Sequence, residues 1–250
     1  MAERYDRSRP SYPEDLIDGI LGSSPTALSV LDVACGTGIA SRQMTQKGAR
    51  VLGVDLNARM AEIAERNGIP TEVSAFETWD PRGRTFDVVT CAQAWHWLDP
   101  GPSSVKASAV MRPGGRLCLF WNVGHHPDDL VDALESAYRR ALPENSPHFI
   151  GYAANRASDP VADLTNHVST FLLASGHFSN PMTKSFPWSR TYTSEEWIEE
   201  LHTHSDHAAL APGLQTNLFA EITRVIEAYG GAFRMPYVTI LISAAAAGHP

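Results

Sequence analysis

From residue 29 onward, short apolar runs rich in β-branched residues alternate with stretches of helical period. Strands that alternate with helices in this way form βαβ units, and continuously apolar runs are typical of parallel strands buried on both faces. Five runs are predicted as strands: residues 29–34, 50–55, 71–75, 86–91 and 116–122. Helices are predicted at 39–47 and 58–67. The first half of the chain therefore predicts a parallel sheet with helices packed against it.

The second half of the chain does not continue this regular alternation of strands and helices. Residues 130–141 predict a helix, whereas 143–178 contain scattered proline, asparagine, histidine and glycine and predict irregular or cap-like structure. Further elements are predicted beyond it: a strand at 183–192, a helix capped by Ser194, a helix at 213–229 and a final strand at 237–243. We expect the sheet-forming core at 29–125, and we expect residues 126–250 to complete the sheet and add helices over one end.

The composition is that of a globular protein, with 43% hydrophobic and 19% charged residues. At 250 residues, one large domain with an elaborated cap is expected rather than two independent domains. The chain has 20 Lys plus Arg against 28 Asp plus Glu, a formal net charge of −8. Because nucleic-acid binding requires a basic face, this charge argues against a dedicated nucleic-acid binder.

The sequence also indicates the cellular compartment of the protein. No stretch reaches the roughly 20 apolar residues that a membrane span needs, and the charged, Tyr- and Pro-rich residues 1–13 do not resemble a signal peptide. Cys35, Cys91 and Cys118 each lie in or beside an apolar run, where cysteine usually behaves as a small hydrophobic residue. We therefore expect a reduced, cytoplasmic protein that has no membrane partner.

Residues 30–38 (VLDVACGTG) carry the strongest functional signal. A buried strand runs there into a glycine-containing turn at the mouth of a helix, where the backbone can approach a ligand closely. Asp55 stands nineteen residues after Gly36, at the end of the second predicted strand. An acid at about that spacing binds ribose hydroxyls in nucleotide-binding α/β folds, so the pattern favours a nucleotide-like ligand.

Other classes of protein fit this turn less well. A nicotinamide-dependent dehydrogenase needs Gly or Ala where this chain has Ser41, and it rarely tolerates a charge such as Asp32 inside the first strand. The Gly-Lys-Ser/Thr of a P-loop and the G-x-S-x-G elbow of a serine hydrolase are both absent. A nicotinamide-dependent oxidoreductase and a tight turn without a ligand remain as alternatives.

Residues 30–38 and Asp55 resemble the first motif and the second-strand acid of the class I S-adenosylmethionine-dependent methyltransferases, and the Pro-Gly-Gly turn at 113–115 is also typical of them. Three segments look like a small-molecule branch related to trans-aconitate methyltransferases: 5–13 (YDRSRPSYP), 92–98 (AQAWHWL) and 235–237 (MPY). The resemblance implies a Rossmann-like, doubly wound, seven-stranded, mostly parallel sheet with an antiparallel last strand and a helical cap.

The same resemblance implies that S-adenosyl-L-methionine is the cofactor, and it suggests roles for residues of the turn. Ala34, Gly36 and Gly38 would present their backbone to the methionine part of the cofactor, and Asp32 would help to shape the loop. Asp55 would accept hydrogen bonds from both ribose hydroxyls.

Position in the family pattern implies further cofactor contacts. Leu56 follows the ribose-binding acid, and Phe76 and Glu77 fall where the family contacts adenine. Which of Phe76 and Glu77 meets the base stays open, and a purely structural place in the core is an alternative for Phe76. Gln93 follows the fourth strand and would lie near the sulfonium.

The amino-terminal segment, residues 1–28, would form a lid over the cofactor by the same resemblance. Tyr12, together with Tyr5 and Arg9, would belong to that lid. The alternative is an ordinary exposed start of the chain.

The implied activity is methylation of a small organic acceptor, at oxygen, by in-line displacement. His96 is the candidate catalytic base, because it lies just beyond the fourth strand and imidazole titrates near neutral pH. A structural role for His96 between Trp95 and Trp97 is the alternative. A protein that binds the cofactor or a nucleotide without catalysis is a further alternative.

No metal site is expected. His202, His204 and His207 are close in sequence, but positions 202 and 204 point to different faces of a helix, and no cysteine completes a tetrahedral set of ligands.

Overall fold

A seven-stranded sheet forms the centre of the computed structural model, which describes residues 1–143 and 160–247. Its strands are β1 (Ser29–Val33), β2 (Arg50–Asp55), β3 (Thr71–Val73), β4 (Phe86–Ala92), β5 (Met111–Gly124), β6 (Phe178–Thr193) and β7 (Ala232–Ala246). Their order is β3-β2-β1-β4-β5-β7-β6. The first five pair in parallel, and β7 lies antiparallel between β5 and β6. The predicted α/β fold with a mostly parallel sheet and an antiparallel last strand is confirmed.

Ten α-helices lie within the described parts of the chain. They are α1 (Ala2–Ser8), α2 (Glu14–Leu21), α3 (Ile39–Gln46), α4 (Ala58–Arg66), α5 (Pro100–Val110), α6 (Asp128–Ala141), α7 (Pro160–Ala174), α8 (Ser194–Leu201), α9 (Ser205–Ala208) and α10 (Pro212–Ala228). Several starts follow from capping: the Asn57 side chain accepts the backbone N–H of Arg59 at α4, and Asp99 accepts that of Gly101 at α5.

The central strands are buried on both faces because helices cover each side of the sheet. Leu31 and Val33 of β1 pack on one face into a cluster that includes residues of α5 and α7. Val30 points to the other face and joins α2 and α3 in a second cluster. This alternation explains why the parallel strands read as continuous apolar runs.

A third hydrophobic cluster lies under the helices of the second half of the chain. It joins α6, α8 and α10 to the ends of β6 and β7, with Leu134, Trp197, Ile222 and Phe233 among its buried members. These three helices, together with the short α9, form a cap over one end of the sheet.

Helix α1 bridges the parallel core and the cap. Arg4 pairs with Glu199 of α8 at 3.1 Å. On the other side, Asp6 accepts hydrogen bonds from Arg42 Nη1 at 2.9 Å and from Asn67 Nδ2 at 3.3 Å. The amino-terminal segment therefore connects the two halves of the molecule.

Helix α7 shows that the prediction of irregular structure over 143–178 was wrong for its second half. Four apolar side chains recur there every three or four residues and pack into the core: Val161, Leu164, Val168 and Leu172. The polar residues between them hid the helical period. Residues 144–159 lie outside the described residues.

Several boundaries differ from their predictions: β6 and β7 each begin five residues earlier than predicted, and β3 ends two residues earlier. Two further differences have a local cause. Thr193, not Ser194, caps α8, through a reciprocal pair of hydrogen bonds with Glu196. Strand β5 begins before the Pro-Gly-Gly turn, because the turn is a bulge inside the strand: Phe86 pairs with Met111, and Val88 pairs with Arg116.

The three cysteines are free and buried, as the sequence predicts. Cys35 also explains the glycine inside β2, since a Cβ atom on Gly53 would lie 2.6 Å from its sulfur. Within the described ranges, no helix combines the length and apolar character needed to cross a membrane.

Candidate active site

The turn after β1 presents open backbone at the carboxyl end of the strand. Ala34, Gly36 and Gly38 all have left-handed backbone, with φ of 51°, 58° and 82°. A Cβ atom added to Gly36 would meet nothing within 4 Å, so the space beside this residue is free. At Gly38 a Cβ atom would lie 3.3 Å from the side chain of Ile69, so packing also requires glycine there. A ligand can therefore lie directly on this backbone.

Asp55 is tied to the same turn. Its Oδ2 accepts the backbone N–H of Gly36 at 2.8 Å, and its Oδ1 accepts that of Asn57 at 2.7 Å. The side chain is nearly buried, with 9% of the residue exposed. Because each carboxylate oxygen has a second lone pair, Asp55 can still accept hydrogen bonds from a ligand.

Asp32 lies entirely inside the protein, beneath the turn. Its two oxygens accept hydrogen bonds from Ser41 Oγ at 2.5 Å and Thr90 Oγ1 at 2.8 Å. Burial raises the pKa of Asp32 to about 6, against the lowering effect of the two hydroxyl groups. Ser41, which disfavoured a dehydrogenase in the sequence, is therefore the partner that holds this acid in place.

The predicted adenine contacts lie in different environments. Leu56 is 74% exposed beside the end of β2. Phe76 is buried in the core on the α5 side of the sheet, as its structural alternative predicts. Glu77 Oε1 accepts hydrogen bonds from the backbone N–H of Asp99 and the hydroxyl of Ser103, at the start of α5. The roles of these three residues toward a cofactor stay predictions.

Tyr12 packs into the protein rather than lying on its surface. Its ring meets Phe120 edge to face at a centroid distance of 4.8 Å, and its backbone exchanges two hydrogen bonds with the Gln43 side chain. Burial raises the pKa of Tyr12 well above its usual range, and the nearby Asp32 carboxylate contributes to the shift. The amino-terminal segment is thus fixed against the carboxyl ends of the central strands.

Gln93 follows β4 directly and has left-handed backbone, with φ of 60°. Its backbone N–H donates to the carbonyl of Phe120, and its Nε2 donates to that of Asn122 at 3.4 Å. These bonds hold Gln93 at the carboxyl ends of β4 and β5.

His96 lies on a short 3₁₀ helix, Trp95–Trp97, and its ring is exposed. Trp121 Nε1 donates to its Nδ1 across 3.5 Å, a long contact. Partial burial lowers the pKa of His96 below its usual value. Its catalytic role stays a prediction.

A cavity of about 660 Å³, the cap cavity, lies between the sheet and the cap. On the sheet side its wall includes Gln93, Asn122, Met235 and Tyr237. The cap contributes a group of polar and aromatic side chains: His126, Tyr138, Trp197, Glu200, His204 and His207. His96 is not among the residues that line it.

Two side chains that line the cap cavity, Tyr138 and His207, form a hydrogen-bonded chain with Asp206. Asp206 Oδ1 lies 2.8 Å from His207 Nδ1, and His207 Nε2 lies 2.8 Å from the Tyr138 hydroxyl. Partial burial opposes the negative charge of Asp206, but its bonds to His207 hold the pKa of this carboxyl well below its usual range. A proton on Nδ1 faces the carboxylate, which leaves Nε2 to accept a proton from Tyr138.

A second polar group in the cap cavity centres on Glu200, which is only 3% exposed. His204 Nε2 lies 3.8 Å from Glu200 Oε1, too far for a hydrogen bond. Burial lowers the pKa of His204, and burial lowers the pKa of His126 to about 4. Both imidazoles are therefore neutral at neutral pH.

His204, Asp206 and His207 bring one possible metal-ligand atom each within 4.8 Å of the others. Both ring nitrogens of His207 already have partners, Asp206 and Tyr138. His202 turns away and packs its ring edge-on against Phe219, as its predicted helix face indicates. The cluster is thus arranged for hydrogen bonding and not as a preformed metal site.

No sequence motif predicts the polar side chains that the cap contributes to the cavity. Its polar residues come from α6, α8, α9 and the segment after β5, and they meet only when the cap folds. The spacing of His204 and His207 was visible, but their partner Tyr138 lies 69 residues from His207.

Comparison with known proteins points to one family. A family profile described as "Methyltransferase domain" matches residues 30–115. An uncharacterised methyltransferase of Mycobacterium tuberculosis is 27% identical over 96% of this chain and 91% of that protein. A ubiquinone biosynthesis O-methyltransferase of Acinetobacter baumannii is 30% identical over 63% of this chain and 70% of that protein.

A solved structure shares the fold. It is that of a putative type II methyltransferase from Anaeromyxobacter dehalogenans, with a TM-score of 0.62 and 21% identity. The match covers 94% of this chain and 96% of that one, so the likeness extends through the cap.

Proposed function

Because this chain belongs to the class I S-adenosylmethionine-dependent methyltransferases, we propose that it methylates an oxygen atom of a small organic acceptor. The observation that carries the proposal is the position of the cap cavity, which reaches Gln93 at the carboxyl end of β4. Ligands of open α/β sheets bind outside the carboxyl ends of the strands. An acceptor in the cap cavity therefore lies next to the edge where the glycine turn would hold the cofactor.

The residues of that edge fit S-adenosylmethionine. The open space beside Gly36 leaves room for the methionine part, and Asp55 has free lone pairs for the ribose hydroxyls. Leu56 offers an exposed apolar side chain to the adenine face, next to Asp55. Tyr12 and Gln93 border the same end of the sheet.

The bound cofactor supplies an electrophilic methyl group. The chain has to align the acceptor oxygen with that group and to exclude water from the path. Gln93, held by the carbonyls of Phe120 and Asn122, fixes the boundary between the two ligands. The connection of α1 to both halves of the molecule keeps the cap over this boundary.

Methylation of a hydroxyl group also requires a proton acceptor. We assign this role to the chain of Tyr138, His207 and Asp206. The acceptor hydroxyl passes its proton to the Tyr138 oxygen while Tyr138 passes its own proton to His207 Nε2. The Asp206 carboxylate then stabilises the imidazolium. His96 is the second candidate, at the exposed end of β4.

The small-molecule branch related to trans-aconitate methyltransferases is the finer assignment that we propose. Its three characteristic segments supply residues that line the cap cavity: Arg9 and Pro10, Gln93, and Met235 and Tyr237. Their convergence on one cavity supports a shared acceptor site. We also propose a cytoplasmic location, which the three free cysteines support.

The proposal is tested by incubating the protein with S-adenosylmethionine and a panel of phenols, carboxylic acids and sugar alcohols. S-adenosylhomocysteine and the methylated product are measured by mass spectrometry. We expect turnover with at least one hydroxyl-bearing acceptor. Cofactor binding without turnover of any acceptor would support the binding-only alternative.

A further inference from the structure

Glu200 is a buried acidic side chain with one oxygen that no described residue binds. Its Oε2 is buried and has no hydrogen-bond partner in the described part of the chain. Among the ion pairs formed by the described residues, its one contact is the long 3.8 Å approach to His204. A buried, unpaired charge is costly unless a ligand compensates it.

The imidazoles and phenols around Glu200 do not supply a positive charge. Burial keeps His126 and His204 neutral by lowering the pKa of each. The hydroxyls of Tyr192 and Tyr237 are bonded to each other at 2.8 Å, and burial together with the charge of Glu200 raises the pKa of both.

The two nearest arginines are engaged elsewhere. Arg9 donates from Nε and Nη2 to the hydroxyl and carbonyl of Thr203. Arg190 donates to the carbonyl of Ser8 and lies over the ring of Tyr192, 4.4 Å from its centroid. The pair of Glu200 and His204 therefore faces the cap cavity with unmet hydrogen-bond acceptors.

His204 Nε2 is another buried atom that has no hydrogen-bond partner among the described residues. In the tautomer that carries its proton on Nδ1, this nitrogen accepts hydrogen bonds, as a carboxylate oxygen does. One ammonium group, with two or three N–H donors, can satisfy both at once, whereas a hydroxyl group has a single donor. The wall next to them includes the ring of Trp197, which favours a cation.

A metal ion fits this pair less well. Structural zinc is held by four ligands, and catalytic zinc by three protein ligands. Within the described residues, Glu200 belongs to no group of three closely spaced metal-ligand atoms.

We propose that the acceptor carries an ammonium group, which Glu200 and His204 bind while a hydroxyl group of the same molecule is methylated. The inference rests on the proposed function and adds a substrate class to it: small hydroxylated amines.

The test uses three phenols that share a reacting hydroxyl and differ in charge: tyramine, 4-ethylphenol and 3-(4-hydroxyphenyl)propanoate. Binding of each to the S-adenosylhomocysteine complex is measured by calorimetry. We expect tyramine to bind most tightly. Glu200→Gln should weaken tyramine on the order of 30-fold or more, as expected for one partner of a buried charge pair, and should leave 4-ethylphenol unchanged.

Glu195→Gln is the matched control, because it makes the same change at an exposed position of α8. It should keep the preference for tyramine. Thermal unfolding of both variants checks that they fold. The comparison of the three phenols on the unmodified protein needs no variant. The proposal can therefore fail even if Glu200→Gln is unstable.

The inference is overturned if the anionic phenol binds as tightly as tyramine, if none of the three binds, or if Glu200→Gln keeps the preference. Tight binding of zinc chloride that Glu200→Gln abolishes would replace it with a metal site. Phenol binding and methylation without a charge preference would leave the proposed function intact. A clear preference for tyramine without methyl transfer would instead contradict the proposed reaction.

Discussion

The turn after β1 together with Asp55, which we call the cofactor edge, and the cap each bury a carboxylate. The two carboxylates differ in their hydrogen bonding. Asp32, beneath the glycine turn, receives a hydroxyl on each oxygen. Glu200, in the cap cavity, keeps one oxygen without a partner in the described structure. A fully bonded buried acid fixes local structure, whereas a buried acid with an unmet oxygen awaits a ligand. By our proposals, the first acid shapes a loop of the cofactor site, and the second recognises the acceptor.

The largest expected effect concerns the cap. Tyr138→Phe removes the hydroxyl that links the acceptor to His207. We expect turnover on a hydroxyl acceptor to fall by about 10²-fold or more, with unchanged affinity for S-adenosylhomocysteine, because the cofactor edge is untouched. His96→Ala is the matched comparison and should cost far less. The reverse order of the two turnover rates would move the base to His96.

The second prediction concerns the cofactor edge. Asp55→Ala removes the acceptor of the Gly36 and Asn57 N–H groups together with the proposed ribose contact. Because hydrogen bonds to a charged group each contribute about 1.5–3 kcal/mol, affinity for S-adenosylhomocysteine should fall on the order of 10²-fold or more by calorimetry. Glu62→Ala, on the exposed side of α4, is the control. An unchanged affinity in Asp55→Ala would remove the main support for the cofactor site.

The third prediction uses the raised pKa of Asp32. Its folded-state pKa of about 6 lies above the unfolded value of 3.8, so ionised Asp32 opposes folding. This cost, about 3 kcal/mol, is present above pH 6 and is relieved as the pH falls toward 4. Asp32→Asn should remove this contribution from the pH dependence of the unfolding free energy, measured with urea. An identical pH profile in both proteins would contradict it.

The fourth prediction concerns His126 beside the cap, where the stability changes with pH in the opposite direction. Burial holds the folded-state pKa of His126 at about 4, below the usual 6.5. The unfolded chain therefore binds the proton first, and stability is lost as the pH falls from about 6.5 to about 4. His126→Gln should remove a loss on the order of 3 kcal/mol, measured by the same urea titrations. If the unfolding free energy changed equally with pH in the variant and the unmodified protein, the His126 ring would not be desolvated.

The two regions also differ in how far the sequence predicts them. The cofactor edge can be predicted from local features of the sequence: the strand period, a glycine turn and an acid nineteen residues after Gly36. Because the backbone of the turn forms most of the proposed cofactor contacts, few distant side chains have to be brought together. The alternative core role of Phe76 was also visible, because a large apolar residue after a strand suits either environment.

The cap cavity could not be predicted, because its chemistry depends on packing between distant segments. Nothing local shows that Tyr138 meets His207, or that Glu200 loses its solvent when α8 docks. Helix α7 was missed for a related reason, since its polar residues interrupt the apolar positions that pack into the core. Tertiary burial, not local propensity, decides these features.

The most direct test of the account is calorimetric titration of the purified protein with S-adenosylhomocysteine, with NAD as the control ligand. We expect micromolar binding of S-adenosylhomocysteine and no binding of NAD. Binding of neither ligand by well-folded protein would contradict the assignment of the glycine turn and Asp55 as a cofactor site. Binding of NAD alone would favour an oxidoreductase.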